Sequence, residues 1–551
     1  MLVEIQCDAF KHKEPIKFKD GLNVVLGAND GANSIGKSTL LMVIDFVFGG
    51  SDYTDKSLDT IKNVGEHQIN FAFQFEGTMY YFSRDTSSPT EVSICDNNYS
   101  KIKIINLNDY TNLLKEKYKI NSSYISFRET VSNFIRVYHR DNYDETAPLR
   151  SFKQDTQNKG LKRLFKLLNE YEEIDLADKR YQEYKEKKET FNKSLKYNYI
   201  YATPNKTEYK KNEIEINNLR KQKENLVLDL GETFAGLDEY QRNKLAELRE
   251  QQRLFSNKIL TYQLQLNSMK YDQKFSSSKL KSDLLELEKF FPNLNVAEIV
   301  EIEQFHDDLN SILKKQVADN TKKIDRELKK YNELYFEVDR QIEEIKDSEK
   351  IPQDKLQNYT EVDRKIIKLE KANEAYDNKE LIAEETKKRK EHLDHTVDLA
   401  INSIESTLNQ TMHEINEKVT NGQKMAPLIN INSITSYHFE IPNDTGTGTN
   451  FRGLVVFDLA ILTLSFLPLL VHDSLIFKQV EDNAIENILK IYSTFDKQIF
   501  ISFDKQSAYS DEVKSLLYDN HVIELGPNGN ELFGKSWSSV ENKDNNWKGE
   551  E

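Results

Sequence analysis

The sequence predicts an α/β fold built from two distant halves of one chain, with a long antiparallel helical hairpin inserted between them. Three observations predict it. A glycine-rich loop near residue 30 joins a short apolar strand to an apolar helix. The middle of the chain almost lacks helix breakers. Strand-like segments then reappear near the C-terminus.

Composition frames this reading. Hydrophobic residues make up 38% of the chain and charged residues 30%, so part of it is long and solvated. The formal net charge of −15 opposes nucleic-acid binding except through local basic patches. Cys7 and Cys95 alone do not make a disulfide framework and suit a reducing cytoplasm. "MLVEIQCDAF" alternates apolar and polar residues and lacks a signal-peptide layout. The apolar run from Leu459 to Val471 contains Pro468 and leads into His472 and Asp473. It is too short to span a bilayer and reads as a buried helix feeding a buried strand. No membrane association is expected.

The first half, residues 1–155, contains strand-like "MLVEIQCDAF", "GLNVVLGA" and "INFAFQF". Gly31, Gly36, Lys37 and Ser38 satisfy G-x-x-x-x-G-K-[ST]. The motif is placed as its chemistry requires, after strand "LNVVLG" and before helix "STLLMVIDFVFGG". Glycines let several backbone N–H groups face one anion, and the helix N-terminus adds a favourable dipole. Asn33, Ser34, Ile35 and Thr39 complete the loop. Lys37 would reach the β- and γ-phosphates, and the Ser38 hydroxyl would bind Mg²⁺. No Asn-Lys-x-Asp base reader is present, so ATP is expected rather than GTP.

The middle, residues 156–420, has no glycine between Gly236 and Gly422, and only Pro292 and Pro352 between Pro204 and Pro427. Leu245, Leu248, Gln252, Phe255, Ile259, Tyr262, Leu266 and Met269 step alternately by three and four. Val397, Ile401, Ile404, Leu408, Met412, Ile415 and Val419 form a second run. A period near 3.5 with charged flanks predicts a two-stranded coil. "KFFPNLNVAEI" places the tip near 290–300. Breaks at Gly231/Gly236 and at Pro352 lie at matched distances from it and suggest one bend.

The second half, residues 421–551, contains "SYHFEI", "LPLLVHD", "KQIFISF" and "HVIEL". Strands alternating with helices indicate α/β. An ATPase of this kind holds Mg²⁺ through a carboxylate at the end of a buried strand, and Asp473 ends the apolar "LPLLVHDS".

This layout resembles the SMC/RecN-type ABC ATPases. "NSIGKSTLLMVIDFVFGG", "FRGLVVFDLAIL" and "LPLLVHDSLIF" resemble more narrowly an uncharacterised bacterial branch found in ABC three-component systems, thought to act against phages. The resemblance implies an ABC-type head assembled from both halves, and a homodimer sandwiching two ATP molecules. Thr447, Gly448, Thr449, Asn450 and Arg452 would then face the partner's γ-phosphate as the signature segment. Where such ATPases place Glu after the strand Asp, this chain has Ser474. Glu481 or Asp482 would supply the carboxylate instead. The usual switch His is replaced by Ser502 and Asp504. Asn142 is the candidate Mg²⁺ sensor.

Heads of this type grip DNA where the coil emerges. Lys159, Lys162, Arg163 and Lys166 cluster there, and Lys387–Lys390 form a second basic run. No zinc hook or nuclease constellation is visible. The function expected is slow ATP hydrolysis coupled to DNA engagement and to signalling through effector subunits in defence. A housekeeping repair ATPase and an ATP-gated protein scaffold are the alternatives.

Overall fold

The computed structural model describes residues 1–28, 34–197, 199–233, 239–272, 296–347, 353–444 and 446–537. It divides into two compact units, Met1–Glu183 with Lys387–Glu551, and Tyr184–Thr386. The fold is mixed α/β with long helices.

In the first unit the strands are β1 (Leu2–Gln6), β2 (Ile16–Lys17), β3 (Leu22–Gly27), β4 (Gln68–Phe75), β5 (Thr78–Asp85), β6 (Glu91–Cys95), β7 (Lys101–Asn106), β8 (Ile135–Arg136), β9 (Leu428–Ser433), β10 (Ser436–Glu440), β11 (Leu469–His472), β12 (Gln498–Phe503) and β13 (His521–Leu525). All seven stretches expected to be strands are strands. Of the run β4–β7, the sequence pattern marks β4 alone.

Two sheets result. One has the order β13-β3-β12-β11-β8 and its pairs are parallel. Strands β3, β11 and β12 are buried along their whole length, as a parallel sheet covered on both faces requires. This sheet interleaves strands from both ends of the sequence. The other has the order β2-β1-β4-β5-β6-β7 and its pairs are antiparallel.

Helix α1 (Lys37–Val47) is buried on every face from Leu40 onward, which marks a core helix rather than a surface one. It packs against β3 and β12 of one sheet and β4 of the other. Just beyond it, Phe48 meets Phe73 of β4 at 5.4 Å and Phe500 of β12 at 6.4 Å between ring centroids. Gly49 N donates to Phe46 O, and Gly50 N to Asp45 O, closing the helix where the paired glycines predict a stop.

The remaining helices are α2 (Asp52–Lys56), α3 (Leu58–Val64), α4 (Leu107–Lys117), α5 (Phe127–Val131), α6 (Gln157–Leu167), α7 (Tyr171–Lys196), α8 (Lys206–Thr233), α9 (Glu239–Asp272), α10 (Val296–Asp347), α11 (Gln353–Thr420), α12 (Thr447–Leu464), α13 (Asp482–Tyr492) and α14 (Asp511–Asp519). Helix α12 ends before Pro468 and feeds β11, as the apolar run implies.

In the second unit, helices pair antiparallel. Gln252 of α9 donates to Asp339 of α10 at 2.7 Å, while Tyr262 stacks on Tyr331 and Phe255 meets the same ring at a tilt. Leu245 and Leu248 bury against Val338 and Ile342. The one polar member of the expected stripe, Gln252, is thus satisfied across the pair. Helices α8 and α11 pair similarly, through Ile216, Val362 and Ile366 and through Lys223–Asp363 at 2.5 Å. Pro292, Gly236 and Pro352 lie outside the described residues, and with them most of the tip expected near 290–300.

The second apolar run behaves differently from the coil expected. Leu408, Met412 and Val419 are fully buried in the main core of the first unit. There Asn409 brackets the Ile429 backbone of β9, accepting from its N–H at 2.8 Å and donating to its C=O at 3.0 Å. A heptad stripe reports one buried face. It does not say whether a helix or a sheet covers it.

Candidate functional site

The site is built at the C-terminal edge of the parallel sheet. Strand β3 delivers the chain to the loop, of which residues 29–33, including Gly31 and Asn33, lie outside the described residues. The chain re-enters at Ser34, with φ of 61°, and turns at Gly36, with φ of 95°. Gly36 is required twice over. Its φ disfavours side chains, and a Cβ there would come within 2.5 Å of Leu532 Cβ. Lys37 then begins α1.

A cavity of about 520 Å³ opens here. Ser34, Ile35, Gly36, Lys37, Ser38 and Thr39 line one wall. Tyr138, His139, Ser474 and Lys478 line a second. Glu531, Phe533, Lys535 and Trp537, together with Asp59, line a third. The loop and the segment after β11 thus reach one cavity from opposite ends of the sequence. The third wall lies outside the residues expected from the motifs. Its signal is "LGPNGNELF", a turn-rich stretch carrying an aromatic residue straight after a strand. Leu532 pins it by exchanging backbone bonds with Ile35 and Lys11.

Asp473 directly follows β11 and is fully buried. Its Oδ1 accepts from Ser474 N at 2.8 Å and from Ser502 Oγ at 2.7 Å. Its Oδ2 accepts from Tyr138 N at 3.2 Å and from Tyr143 OH at 3.3 Å. Burial and the Asp473 carboxylate push the Tyr143 phenol well up, so it stays a donor. The carboxylate is therefore held in one orientation beside Ser474 and Tyr138, both on the cavity wall.

His472 is structural. Its ring bonds Asp458 at 2.9 Å and Tyr492 OH at 2.6 Å. Burial pushes its pKa down, outweighing Asp458. The ring is therefore neutral, with Nε2 donating to the carboxylate and Nδ1 accepting from the tyrosine. Arg136 grips Asp458 with two nitrogens, at 2.5 and 2.7 Å.

Lys37 Nζ lies 2.7 Å from Asp504 Oδ1, with side chains 7% and 11% exposed. Asp504 directly follows β12, the strand between β3 and β11.

The other expected residues are placed elsewhere. Glu481 pairs with Lys424 at 2.7 Å and Asp482 with Tyr509; neither lines the cavity. Asn142 is buried and donates to Ile135 O at 3.0 Å, also away from the cavity wall. Thr447, Gly448, Thr449, Asn450 and Arg452 form the first turns of α12. Thr449 Oγ1 donates to Asp444 at 2.8 Å, and Arg452 is buried and donates to Met425 O at 3.2 Å. None of these five lines the cavity of its own protomer.

Of the four basic residues on α6, Lys159 and Lys162 are exposed, and Lys162 lies over the Tyr171 ring. Arg163 is instead paired with Asp155 and Lys166 with Glu129 at 2.9 Å. On α11, Lys387 pairs with Glu391 and Lys390 with Asp394.

The oxygen donors near the cavity, Ser38 Oγ and Asp473, suit a hard cation such as Mg²⁺. Lys37, Lys478 and Lys535 suit an anionic ligand. Among the described residues no cluster of three His, Cys, Asp or Glu side chains is arranged to hold a metal unaided, and no helix is long and apolar enough to cross a membrane.

A family model described as an uncharacterised protein conserved in bacteria (DUF2326) matches residues 411–537. That is less than half the chain, and it includes Asp473, Asp504 and the third cavity wall apart from Asp59. No curated protein matches. Among solved structures, an Smc head domain with a coiled coil and joint from Pyrococcus yayanosii is 14% identical, with 95% of this chain and 94% of that chain covered and a TM-score of 0.45. An Smc head domain with an extended coiled coil, bound to the C-terminal domain of ScpA, from Pyrococcus furiosus is 10% identical, with 94% and 91% covered and a TM-score of 0.32. These values fall below what establishes a common fold.

Proposed function

We propose that the first unit is an ABC-type ATPase head, assembled from residues 1–155 and 421–551, that binds ATP with Mg²⁺ and hydrolyses it slowly. One observation carries this reading. A glycine-turned loop with Lys37 and Ser38, and the segment after the strand-ending Asp473, border one cavity at the edge of one parallel sheet.

The residues divide the work by chemistry. The first N–H groups of α1 and its dipole receive phosphate oxygens. Lys37 neutralises the β- and γ-phosphates. Ser38 and Asp473 would hold Mg²⁺, with Asn142 as its sensor. Mg²⁺, when bound, offsets charge developing on the phosphates. Donors from Tyr138, Tyr143, Ser474 and Ser502 fix Asp473, so it orients without reorganising.

Turnover is slow because Ser474 stands where a carboxylate would polarise water. Asp482 or Glu481 supplies that group after rearrangement. Thr447, Gly448, Thr449 and Asn450 act on the partner's nucleotide, with Arg452 buried behind them until it rearranges, so ATP closes a homodimer. Lys159 and Lys162, with Arg163 and Lys166 behind them, contact DNA phosphates. Residues 156–420 form the coiled-coil arm, with its tip near 290–300, and relay the state to effector subunits, in anti-phage defence or in chromosome maintenance.

The absence of Glu481 and Asp482 from the cavity wall favours one further reading, an ATP-gated protein scaffold with negligible turnover. ATP turnover by the full chain, with and without linear and circular DNA, tests the proposal, alongside oligomeric state with ATP. The expected result is slow turnover raised by DNA and a dimer formed with ATP. ATP-dependent dimers without turnover would favour the scaffold. Neither turnover nor dimers would refute the proposal.

A further inference from the structure

Two carboxylates directly follow the neighbouring strands β11 and β12, behind the cavity wall formed by Lys37 and Ser474, and they are held in opposite ways. Asp473 is fixed by donors from four residues, Tyr138, Tyr143, Ser474 and Ser502. Asp504 is held chiefly by the ammonium of Lys37, 2.7 Å away. That ammonium is also the group a triphosphate requires.

The pair is built into the fold. It crosses the end of β3 at Gly27. A Cβ there would collide with Asp504 Oδ1 and lie 2.9 Å from Lys37 Cδ. Glycine at this position makes room for the contact.

The chain after Asp504 is tied down in sequence. Lys505 turns it with φ of 58°. Gln506 Nε2 donates to Gly27 O at 3.2 Å. The Tyr509 phenol bonds Asp482, and burial together with that carboxylate pushes its pKa up to about 12. Ser510 donates to Glu486 through its N–H at 2.7 Å and its hydroxyl at 2.9 Å. Residues 504–510 therefore run from the phosphate-binding lysine to the first turns of α13, where Asp482 lies.

We propose that Asp504 is a displaceable counter-ion of Lys37: the terminal phosphate of a bound nucleotide competes with it for one ammonium, and its displacement releases residues 504–510 and repositions Asp482. The inference rests on the nucleotide reading above. Its physics is that two anions sharing one partly buried ammonium repel strongly when separated by a few ångströms in a medium less polar than water. Either the carboxylate withdraws or the phosphate binds weakly. Asp504 thereby makes nucleotide affinity and the movement of its own segment one coupled event.

The test uses the full chain and two probes, Mg·ATP and inorganic tripolyphosphate, with wild type, Asp504→Asn and Asp504→Ser. Removing the competing charge should tighten both probes by about tenfold or more, which is ~1.4 kcal/mol. The factor should be the same for each probe, because the base plays no part. Hydrogen exchange supplies a second readout that needs no variant: in wild type, ATP should raise amide exchange across 504–510.

Unchanged or weaker binding by both variants overturns the counter-ion role. So does exchange in 504–510 that ignores ATP. Failure of wild type and variants alike to bind either probe overturns the nucleotide reading itself. Wild-type binding with unaltered variant affinity overturns this inference alone.

Discussion

In the helical unit, Thr203, Asn212 and Asn373 hydrogen-bond to one another at 2.7 to 3.0 Å, and Asn373 also donates to the Tyr209 backbone. At the edge of the parallel sheet, Lys37, Asp504, Ser38 and the fixed Asp473 are gathered beside a cavity instead. Both regions bury polar groups at a cost. The first closes its groups on themselves, which selects one register between two helices. The second brings two of them, Lys37 and Ser38, to space that a ligand can enter, with the two carboxylates behind them. Polar groups that satisfy each other specify structure; polar groups aimed at a cavity specify chemistry.

Substitutions can break that contrast, starting with the largest effect. Asp473→Asn turns an amide nitrogen toward donors that need an acceptor. Mg²⁺-dependent turnover should fall by about 10²-fold or more, and thermal unfolding should show a loss of about 1–3 kcal/mol. Full activity would detach Asp473 from the site. Asp482→Asn should accumulate an ATP-bound dimer visible by size exclusion, because Asp482 is tied through Tyr509 to the segment after Asp504, whereas Glu481→Gln should resemble wild type because Glu481 pairs instead with Lys424. The opposite pattern would move the base to Glu481.

Asn373→Leu sharpens the comparison from the other side. It strips partners from Thr203 and Asn212 and should cost about 1–3 kcal/mol in urea unfolding, while ATP affinity stays at the wild-type value. A changed affinity would show that the register network is not merely structural. The smallest effect is expected for Lys159→Glu with Lys162→Glu. DNA binding should weaken, and the salt dependence of the affinity should flatten by about one unit for each phosphate that the variant no longer neutralises. No change would favour a protein partner for that face. Arg163→Glu is a poorer probe, since it also breaks the Asp155 pair.

Much of this organisation is legible in the sequence because it is written in local patterns. The wholly buried β3, β11 and β12 are mostly apolar, broken only by Asn23, His472, Gln498 and Ser502, and Lys37 and Ser38 follow a loop whose glycines answer a geometric need. Asp473 can be found because such a run ends on it. The antiparallel strands β5–β7 escape a sequence reading because their faces mix polar and apolar residues, with Lys101, Ile102, Lys103 and Ile104 all exposed. The stripe from Val397 to Val419 reads as coil because periodicity records a buried face and not its cover. Partners distant in sequence are also beyond reach. Nothing near Asp504 announces Lys37, and nothing near Asn373 announces Thr203. Arg163 and Lys166 read as free cations until Asp155 and Glu129 are brought beside them.

The central claim is that the loop before α1 and the strand ends facing it form one nucleotide site. Titration calorimetry of Mg·ATP into the full chain tests it most directly, with Lys37→Ala as the control. The account predicts one ATP per chain for wild type and no measurable heat for the variant. Absence of binding to wild type, or equal binding to both, would contradict it.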